Sequence, residues 1–450
     1  MTYQKLINSF LANEKKLKLN KFIAISYLQI RFYLFRRYQS EQLGSSNKTA
    51  RVLKVDLSFI VLELFAFVMF FIKLPFFIFY SKIVFFCEHA RYINIDDYEY
   101  EPYSFLSQRK VMKNDLPIVR LGTIKNGTND IKYNNFKYLF ISQYQFQFIS
   151  ILVSLLFIPI NLVVYIILYS KLNKFYNKKV INKNLFIKLN IYFGRNILSL
   201  ILFLFIRPNK VNVTESYNSN SSFVLMANIL NIESYEYQHG MISKSHIAYN
   251  ITLINQDSKK IYLPRFIYAW SLGWNNFIPI VNDKLVSLID WTYEYFYYFN
   301  ANKLDNIKKS IDILIIGQPS VQKELYEIAK SLIIKYPNKR IVYKYHPKEI
   351  RENLLSLDIE LAGDDLYLLL LSSTLVVGGF STALLEAKAL GNDVVSISRF
   401  VPDEYLEVLK SFSIELSSNI EDIDINTNNL ELKSNFPIFP INLNNKDLYL

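Results

Sequence analysis

Between Asp312 and Ser398 the chain repeats one pattern, a short apolar run followed by a segment of helical spacing. The runs "DILIIG" (312–317), "RIVYKY" (340–345), "TLVVGG" (374–379) and "DVVSIS" (393–398) are too continuous in Ile, Leu and Val for strands with one face in water. Strands of that kind are buried on both faces, as in a parallel sheet. The segments "SVQKELYEIAKSLIIKY" (320–336), "EIRENLLSL" (349–357), "DDLYLLLLSS" (364–373) and "STALLEAKAL" (381–390) have the length and spacing of helices. Alternation of the two predicts a doubly wound α/β domain. An earlier series points the same way: "KIVFFC" (82–87), "KVNVT" (210–214) and "SYEYQ" (234–238) as strands, with "SSFVLMANIL" (221–230) as a helix. The expected fold class is α/β, with two Rossmann-like domains behind a helical, apolar N-terminal region. The divisions are a basic, apolar helical region over 1–80, a domain over 81–294 with an apolar helical insertion at 146–206, a linker over 295–310, and a second domain over 311–450.

The rest of the chain is greasy and basic. Of 450 residues, 51% are hydrophobic and 20% charged, and the net charge is +12. That balance suits an anionic membrane face, an anionic substrate or nucleic acid. The lysines are spread without a nucleic-acid fold signature, which argues against nucleic acid. A single cysteine, Cys87, excludes a disulfide framework and a cysteine zinc site. The first residues lack the apolar core of a signal peptide, so the protein is expected to stay cytoplasmic. Within 1–43, Lys15, Lys16, Arg36 and Arg37 mix with Leu17, Phe22, Leu28 and Phe35. This is either a basic amphipathic surface for an anionic leaflet or a helix packed on its own protein. Three runs are strongly apolar: Leu57–Ile72, Phe148–Leu168 and Ile197–Ile206. Only the second has the roughly 20 residues of a spanning helix; the third is too short. Strands of one expected sheet flank the second run, so helices packed in the protein or dipped into one leaflet are favoured over a span.

In a doubly wound sheet, ligands bind at the carboxyl ends of strands. His346, Gly378, Gly379, Ser381 and Thr382 follow strands of the later series; Glu88, His89, Arg91 and His239 follow strands of the earlier one. After the two glycines the chain turns into a helix start, where free N–H groups and the hydroxyls of Ser381 and Thr382 suit a phosphate. Glu386 lies a turn further on, in reach of a ribose. An ordinary helix cap explains Ser381 and Thr382 equally simply. Pro347 restrains the backbone after His346; a structural histidine capping its strand is the rival reading. Asp96-Asp97 and Asp364-Asp365 suit a loop and a helix start better than metal ligands, and no metal site is expected. Trp270 and Trp274 suit core packing better than sugar stacking.

Gly378-Gly379, Thr382, Glu386-Ala387 and Leu390-Gly391 together resemble the donor-nucleotide segment of GT-B glycosyltransferases. His346-Pro347 upstream of Ser372-Ser373-Thr374 and Ser381-Thr382 is similar to bacterial sialyltransferases and polysialyltransferases, and to Kdo transferases, which use CMP-activated acidic sugars. "YQHGMISKSHIAY" (237–249) looks like a segment of capsular and O-antigen transferases. The resemblance covers roughly 82–415 in layout, through short motifs. It implies a GT-B-like fold and transfer of a sugar from a nucleotide sugar, CMP-linked by preference, to a lipid-linked glycan of a capsule or lipooligosaccharide. It further implies an inverting transfer without a tightly bound cofactor, at the cytoplasmic face of a bacterial inner membrane. His346 would meet the departing phosphate, with Pro347, Gly378, Gly379, Ser381, Thr382, Glu386, Ser372 and Ser373 binding the donor. The family's acidic pair before a glycine is replaced here by Gln238-His239-Gly240, which leaves His239, Glu236 and Glu88 as alternative bases. A teichoic-acid-type polyol-phosphate transferase, a nucleotide-sugar epimerase and a non-catalytic assembly protein are the competing classes.

Overall fold

The computed structural model describes residues 3–43, 57–88, 93–95, 98–122, 137–253, 255–290, 307–346, 349, 359–362 and 366–418. His89, Arg91, Asp96-Asp97, most of the 295–310 linker, Pro347, the 349–357 helix beyond Glu349, and Asp364-Asp365 lie outside them. The chain forms two compact units.

The first unit is built on strands β1 (Val84–Cys87), β4 (Ile118–Gly122), β5 (Tyr138–Ser142), β6 (Lys210–Val213), β7 (Glu233–Tyr237), β8 (Phe266–Ala269) and β9 (Ser287–Asp290), with a small antiparallel pair, β2 (Ile93–Ile95) and β3 (Tyr98–Tyr100). The seven-stranded order is β5-β4-β1-β6-β7-β8-β9. Pairing is parallel from β5 through β8. The order reverses between β1 and β6, where Phe85 is in register with Val211. That point is where a doubly wound sheet opens to a ligand.

Three helices carry the chain from β5 back to β6: α5 (Gln143–Leu155), α6 (Ile158–Leu172) and α7 (Lys183–Ile206). The apolar run expected at Phe148–Leu168 is broken at Leu156-Phe157, and α5 and α6 meet at 86°. Pro159, in the first turn of α6, supplies no helical N–H there. The run Ile197–Ile206, taken from sequence as too short to span, is the end of a 24-residue helix, half of whose apolar window is buried. Phe203 packs on Phe85 with ring centroids 5.2 Å apart, and Phe85 lies 5.1 Å from Phe223.

The N-terminal region is not separate. Helices α1 (Tyr3–Lys15) and α2 (Lys21–Leu43) belong to the first unit, burying Leu6, Phe10, Tyr27 and Leu34. Arg31 pairs with Glu14 in the interior and donates to the Asn250 carbonyl at 2.6 Å, while Glu14 accepts from the Thr252 N–H at 2.8 Å. Satisfying both ions inside the protein fixes the hairpin to the 247–252 loop. A packed helix pair therefore replaces the lipid-facing basic helix, the less protein-bound of the two sequence readings.

The second unit carries β10 (Ile311–Ile316), β11 (Ile341–Lys344), β12 (Glu360–Leu361), β13 (Ser373–Gly378), β14 (Asp393–Ile397) and β15 (Glu415–Ser417). Its order is β12-β11-β10-β13-β14-β15, parallel throughout. Helices Gln322–Lys335, Leu366–Ser372 and Thr382–Ala389 alternate with the strands as the sequence predicts. Ile313, Ile315, Leu325, Leu332 and Val377 form its buried core. Trp274 is packed against Phe412, ring centroids 4.8 Å apart, and is buried with Trp270. Two doubly wound units in one chain are the domain content of the GT-B-like expectation.

Candidate active site

At the reversal point of the first sheet the chain buries an unusual number of polar groups. Glu88 follows β1, Thr214, Glu215 and Ser216 follow β6, and Glu236 lies near the end of β7. Glu88 accepts from Arg120 on β4 at 2.5 and 3.0 Å and from Gln108 at 2.9 Å. Both its oxygens are thus engaged in a buried ion pair, a bracing arrangement rather than an open base. Glu236 is equally enclosed: it accepts from the Ser216 hydroxyl at 2.6 Å, the Ser216 N–H at 3.1 Å and the Tyr249 hydroxyl at 2.6 Å. Burial pushes its carboxyl up to about 7 against those bonds.

Glu101 escaped the sequence reading. It is fully buried and accepts from the Ser104 hydroxyl at 2.8 Å and the Ser104 N–H at 3.1 Å, both on Oε2. Its Oε1 is buried with no hydrogen-bond partner. Burial first, and the neighbouring Glu88 charge second, push it up to about 8, so it is a neutral acid at pH 7. Glu215 escaped notice as well. Its φ of 110° is outside the usual range for a side-chain-bearing residue, and the Asn218 amide donates to it at 2.6 Å. Strain of this kind, on the order of 1–3 kcal/mol, is held by surrounding structure and gathers at functional sites. No motif marks Glu101 or Glu215; only the topology brings them together.

His239, just past β7, is partly exposed. Its Nε2 lies 3.5 Å from the Tyr217 hydroxyl, and its ring centroid is 6.3 Å from that of Tyr103. Tyr217 is itself close to His246 and Tyr249, with centroids 5.7 and 5.9 Å apart. Burial, then the Arg31 charge, holds the His246 imidazole down at about 4, so it stays neutral. Phe32 of α2 packs against Tyr217 at 5.2 Å. The first unit thus places a partly exposed imidazole beside Tyr103 and Tyr217, with its Nδ1 buried.

At the reversal point of the second sheet, between β10 and β13, the loops are Gly317-Gln318 and Gly378-Gly379-Phe380-Ser381. Gln318 Oε1 accepts from the Phe380 N–H at 3.1 Å, tying the two loops together. A Cβ on Gly379 would sit 2.8 Å from that same oxygen, and the Ser396 hydroxyl donates to the Gly379 carbonyl at 2.5 Å. Ser381 is the cap of the helix Thr382–Ala389, its hydroxyl accepting from the Ala383 N–H at 3.3 Å. Phe380 and Tyr405 stack within 11° of parallel, centroids 5.7 Å apart. Glu386 is buried within the helix. Ser372 and Ser373 are not with this group. They stand at the amino end of β13, about 16 Å from its glycines at ~3.3 Å per residue, and their hydroxyls donate to Leu368 and Leu369 carbonyls of their own helix.

His346 lies two residues beyond β11, partly exposed. Its N–H donates to Glu349 Oε2 at 2.8 Å, and the Glu349 N–H donates to the His346 carbonyl at 2.9 Å. The two bonds close a tight turn after β11. Glu349 Oε1 also accepts from the Tyr343 hydroxyl at 3.0 Å. Gly317 completes the packing: a Cβ there would lie 2.5 Å from Glu349 Oε2 and 2.9 Å from the Lys344 carbonyl. The two bonds between His346 and Glu349 engage the backbone of His346.

No family model matches the chain, and comparison with curated proteins gives no match. Among solved structures it is similar to a UDP-GlcNAc 2-epimerase from Methanocaldococcus jannaschii, at 14% identity and a TM-score of 0.46, over 80% of this chain and 96% of that one. It is also similar to a UDP-GlcNAc 2-epimerase from Neisseria meningitidis bound to UDP-GlcNAc, at 12% identity and a TM-score of 0.44, over 76% and 89%. The glycosyltransferase SnogD from Streptomyces nogalater matches at 10% identity and a TM-score of 0.40, over 75% and 86%. Likenesses this distant decide neither substrate nor reaction.

Proposed function

We propose that the protein is a nucleotide-sugar-dependent glycosyltransferase. The observation that carries this reading is the glycine-turned helix start at the reversal point of the second sheet, which suits a phosphate. The first unit, taken by itself, holds a partly exposed imidazole past the end of β7. In the reaction, His239 takes the proton of an acceptor hydroxyl. The acceptor oxygen bonds to the anomeric carbon, the bond from that carbon to the donor phosphate oxygen breaks, and the electron pair leaves with the nucleotide. Thr382 and the His346 imidazole meet the charge on that phosphate. The Phe380–Tyr405 pair offers a flat face to a base.

His239 is preferred as the base because Glu88 and Glu236 are closed in by their own partners. The sequence string around His346 and Gly378 favours a CMP-linked acidic sugar as donor. A lipid-linked surface glycan is the proposed acceptor, at the cytoplasmic face of a membrane. Calorimetric titration with CMP, UDP and TDP tests the donor site. Binding of one nucleotide that weakens about tenfold or more in Thr382→Ala supports it, by ~1–2 kcal/mol for a hydrogen bond to a charged group. Absence of binding by all three removes the reading.

A further inference from the structure

The helices between β5 and β6 carry apolar side chains on their outer faces as well as at their contacts, where Val164, Leu168, Leu202 and Phe203 are buried beside small and polar residues. On α5 the inward positions include Ser150 and Ser154, while Phe148 is 62% exposed. On α6, Asn161 is buried and donates to Asn190 of α7 at 2.8 Å, while Val163 is 57% exposed. On α7, Asn190, Gly194 and Ser199 face inward, and Ile201, Leu204 and Phe205 face outward. A Cβ on Gly194 would collide with the Ser150 carbonyl oxygen, so these two backbones are in close approach. Helix α3 (Leu57–Phe77), which packs on β5 and α7, exposes Leu64, Val68, Phe71 and Ile72. A helix beside water keeps polar residues on its outer face, whereas one that is apolar all round is covered on every side. Small and polar residues at the helix contacts, with aliphatic and aromatic residues outside, are the arrangement of helices in lipid. The exposed area is far beyond the isolated apolar residues of an ordinary surface.

We propose that α3, the α5–α6 elbow and the outer face of α7 sink into one leaflet of an anionic bilayer without crossing it. Three observations select this occupant and this depth. First, α5 and α6 have 13 and 15 residues, about 20 and 23 Å at ~1.5 Å per residue, short of the ~30 Å hydrocarbon core, and they meet at a right-angled turn. Leu156, at that turn, is 78% exposed. Secondly, the loop joining α6 to α7 is held on the protein side. Arg37 of α2 donates to the Lys179 carbonyl at 3.4 Å, and Asn177 bonds to Glu41 of α2. Thirdly, Lys171, Lys174, Lys178, Lys179 and Lys183 gather at that loop, where anionic headgroups would meet them.

Flotation of the full-length protein tests this, because it reads no sugar transfer and so stands or falls apart from the catalytic proposal. The protein is expected to float with phosphatidylcholine vesicles containing roughly 30% phosphatidylglycerol, and less with phosphatidylcholine alone. The variant Leu152→Glu/Leu155→Glu/Leu156→Glu changes outward residues only and should keep its Tm while losing binding by about tenfold or more. A dye attached to Leu156→Cys should be quenched by spin labels on the lipid tails and stay out of reach of reagents trapped inside the vesicle. Failure to float overturns the proposal. So does a stable dimer in vesicle-free buffer that the triple variant splits, which would mean a second copy covers the face. Labelling of residue 156 from inside the vesicle would show a span instead.

Discussion

Replacing Glu101 by Gln should flatten part of the protein's stability profile against pH. Glu101 is fully buried, its Oε2 accepts two bonds from Ser104, and Glu88 stands nearby as a second acid. Burial, then Glu88, raises its carboxyl from the ordinary 4.5 to about 8. The folded state therefore holds a proton that the unfolded chain releases. For a raised acid, stability is fully present below the unfolded value near 4.5 and is lost as pH rises through the folded value near 8. Linkage over that window gives a loss on the order of 4 kcal/mol between pH 5 and 9, the larger part of it below pH 7. Gln keeps the acceptor oxygen for Ser104 and has no proton to lose. Urea unfolding of wild type and Glu101→Gln across pH 5 to 9, followed by a probe in the first unit, should show a stability difference that grows in favour of Gln by about 4 kcal/mol. Parallel profiles, with Gln destabilised by the same amount at every pH, would refute a neutral, proton-holding Glu101.

His346→Ala should lower kcat by about a hundredfold while leaving the backbone bond from the His346 N–H to Glu349 available; an early melt with full kcat would make the imidazole a brace. Gly317→Ala should destabilise the second unit by about 1–3 kcal/mol, because the new methyl meets Glu349 and the Lys344 carbonyl; thermal unfolding checks this, and an unchanged Tm counts against the described packing. His239→Ala should reduce transfer about a hundredfold while nucleotide binding survives, and Glu236→Gln should keep kcat within severalfold; steady-state kinetics with the reverse ranking would move the base to Glu236.

The second unit was the more legible of the two. Its strands are uninterrupted Ile, Leu and Val runs, so "DILIIG" and "DVVSIS" were located to within a residue or so of β10 and β14. In the first unit, β4 and β5 went unrecognised. β4 carries Arg120 at its centre, and a charge inside a strand breaks the apolar run unless its partner, here Glu88, is known to be across the sheet. The glycine turn at 378–379 and the placement of His239 and His346 after strands followed from the alternation alone. Glu101 and Glu349 did not, because their roles depend on desolvation and on contacts that only the fold creates. Ser372 and Ser373 misled for the converse reason: nearness in sequence to the glycine turn put them at the far end of the same strand. The apolar segments were visible as hydropathy, but hydropathy does not show which face of a helix points inward. The apolar outer faces of α5, α6 and α7 needed the packed structure.

Nucleotide release on mixing the purified protein with a panel of nucleotide sugars and a lipid-linked glycan acceptor tests the central claim most directly. The account predicts that one nucleotide sugar is consumed only when acceptor is present. One nucleotide should appear for each sugar joined to the acceptor, and His239→Ala should suppress both. Consumption of UDP-GlcNAc without acceptor, yielding a sugar changed only at one carbon, would contradict transfer and make the chain an epimerase. Inertness toward every donor, with wild-type folding intact, would contradict an enzymatic role altogether.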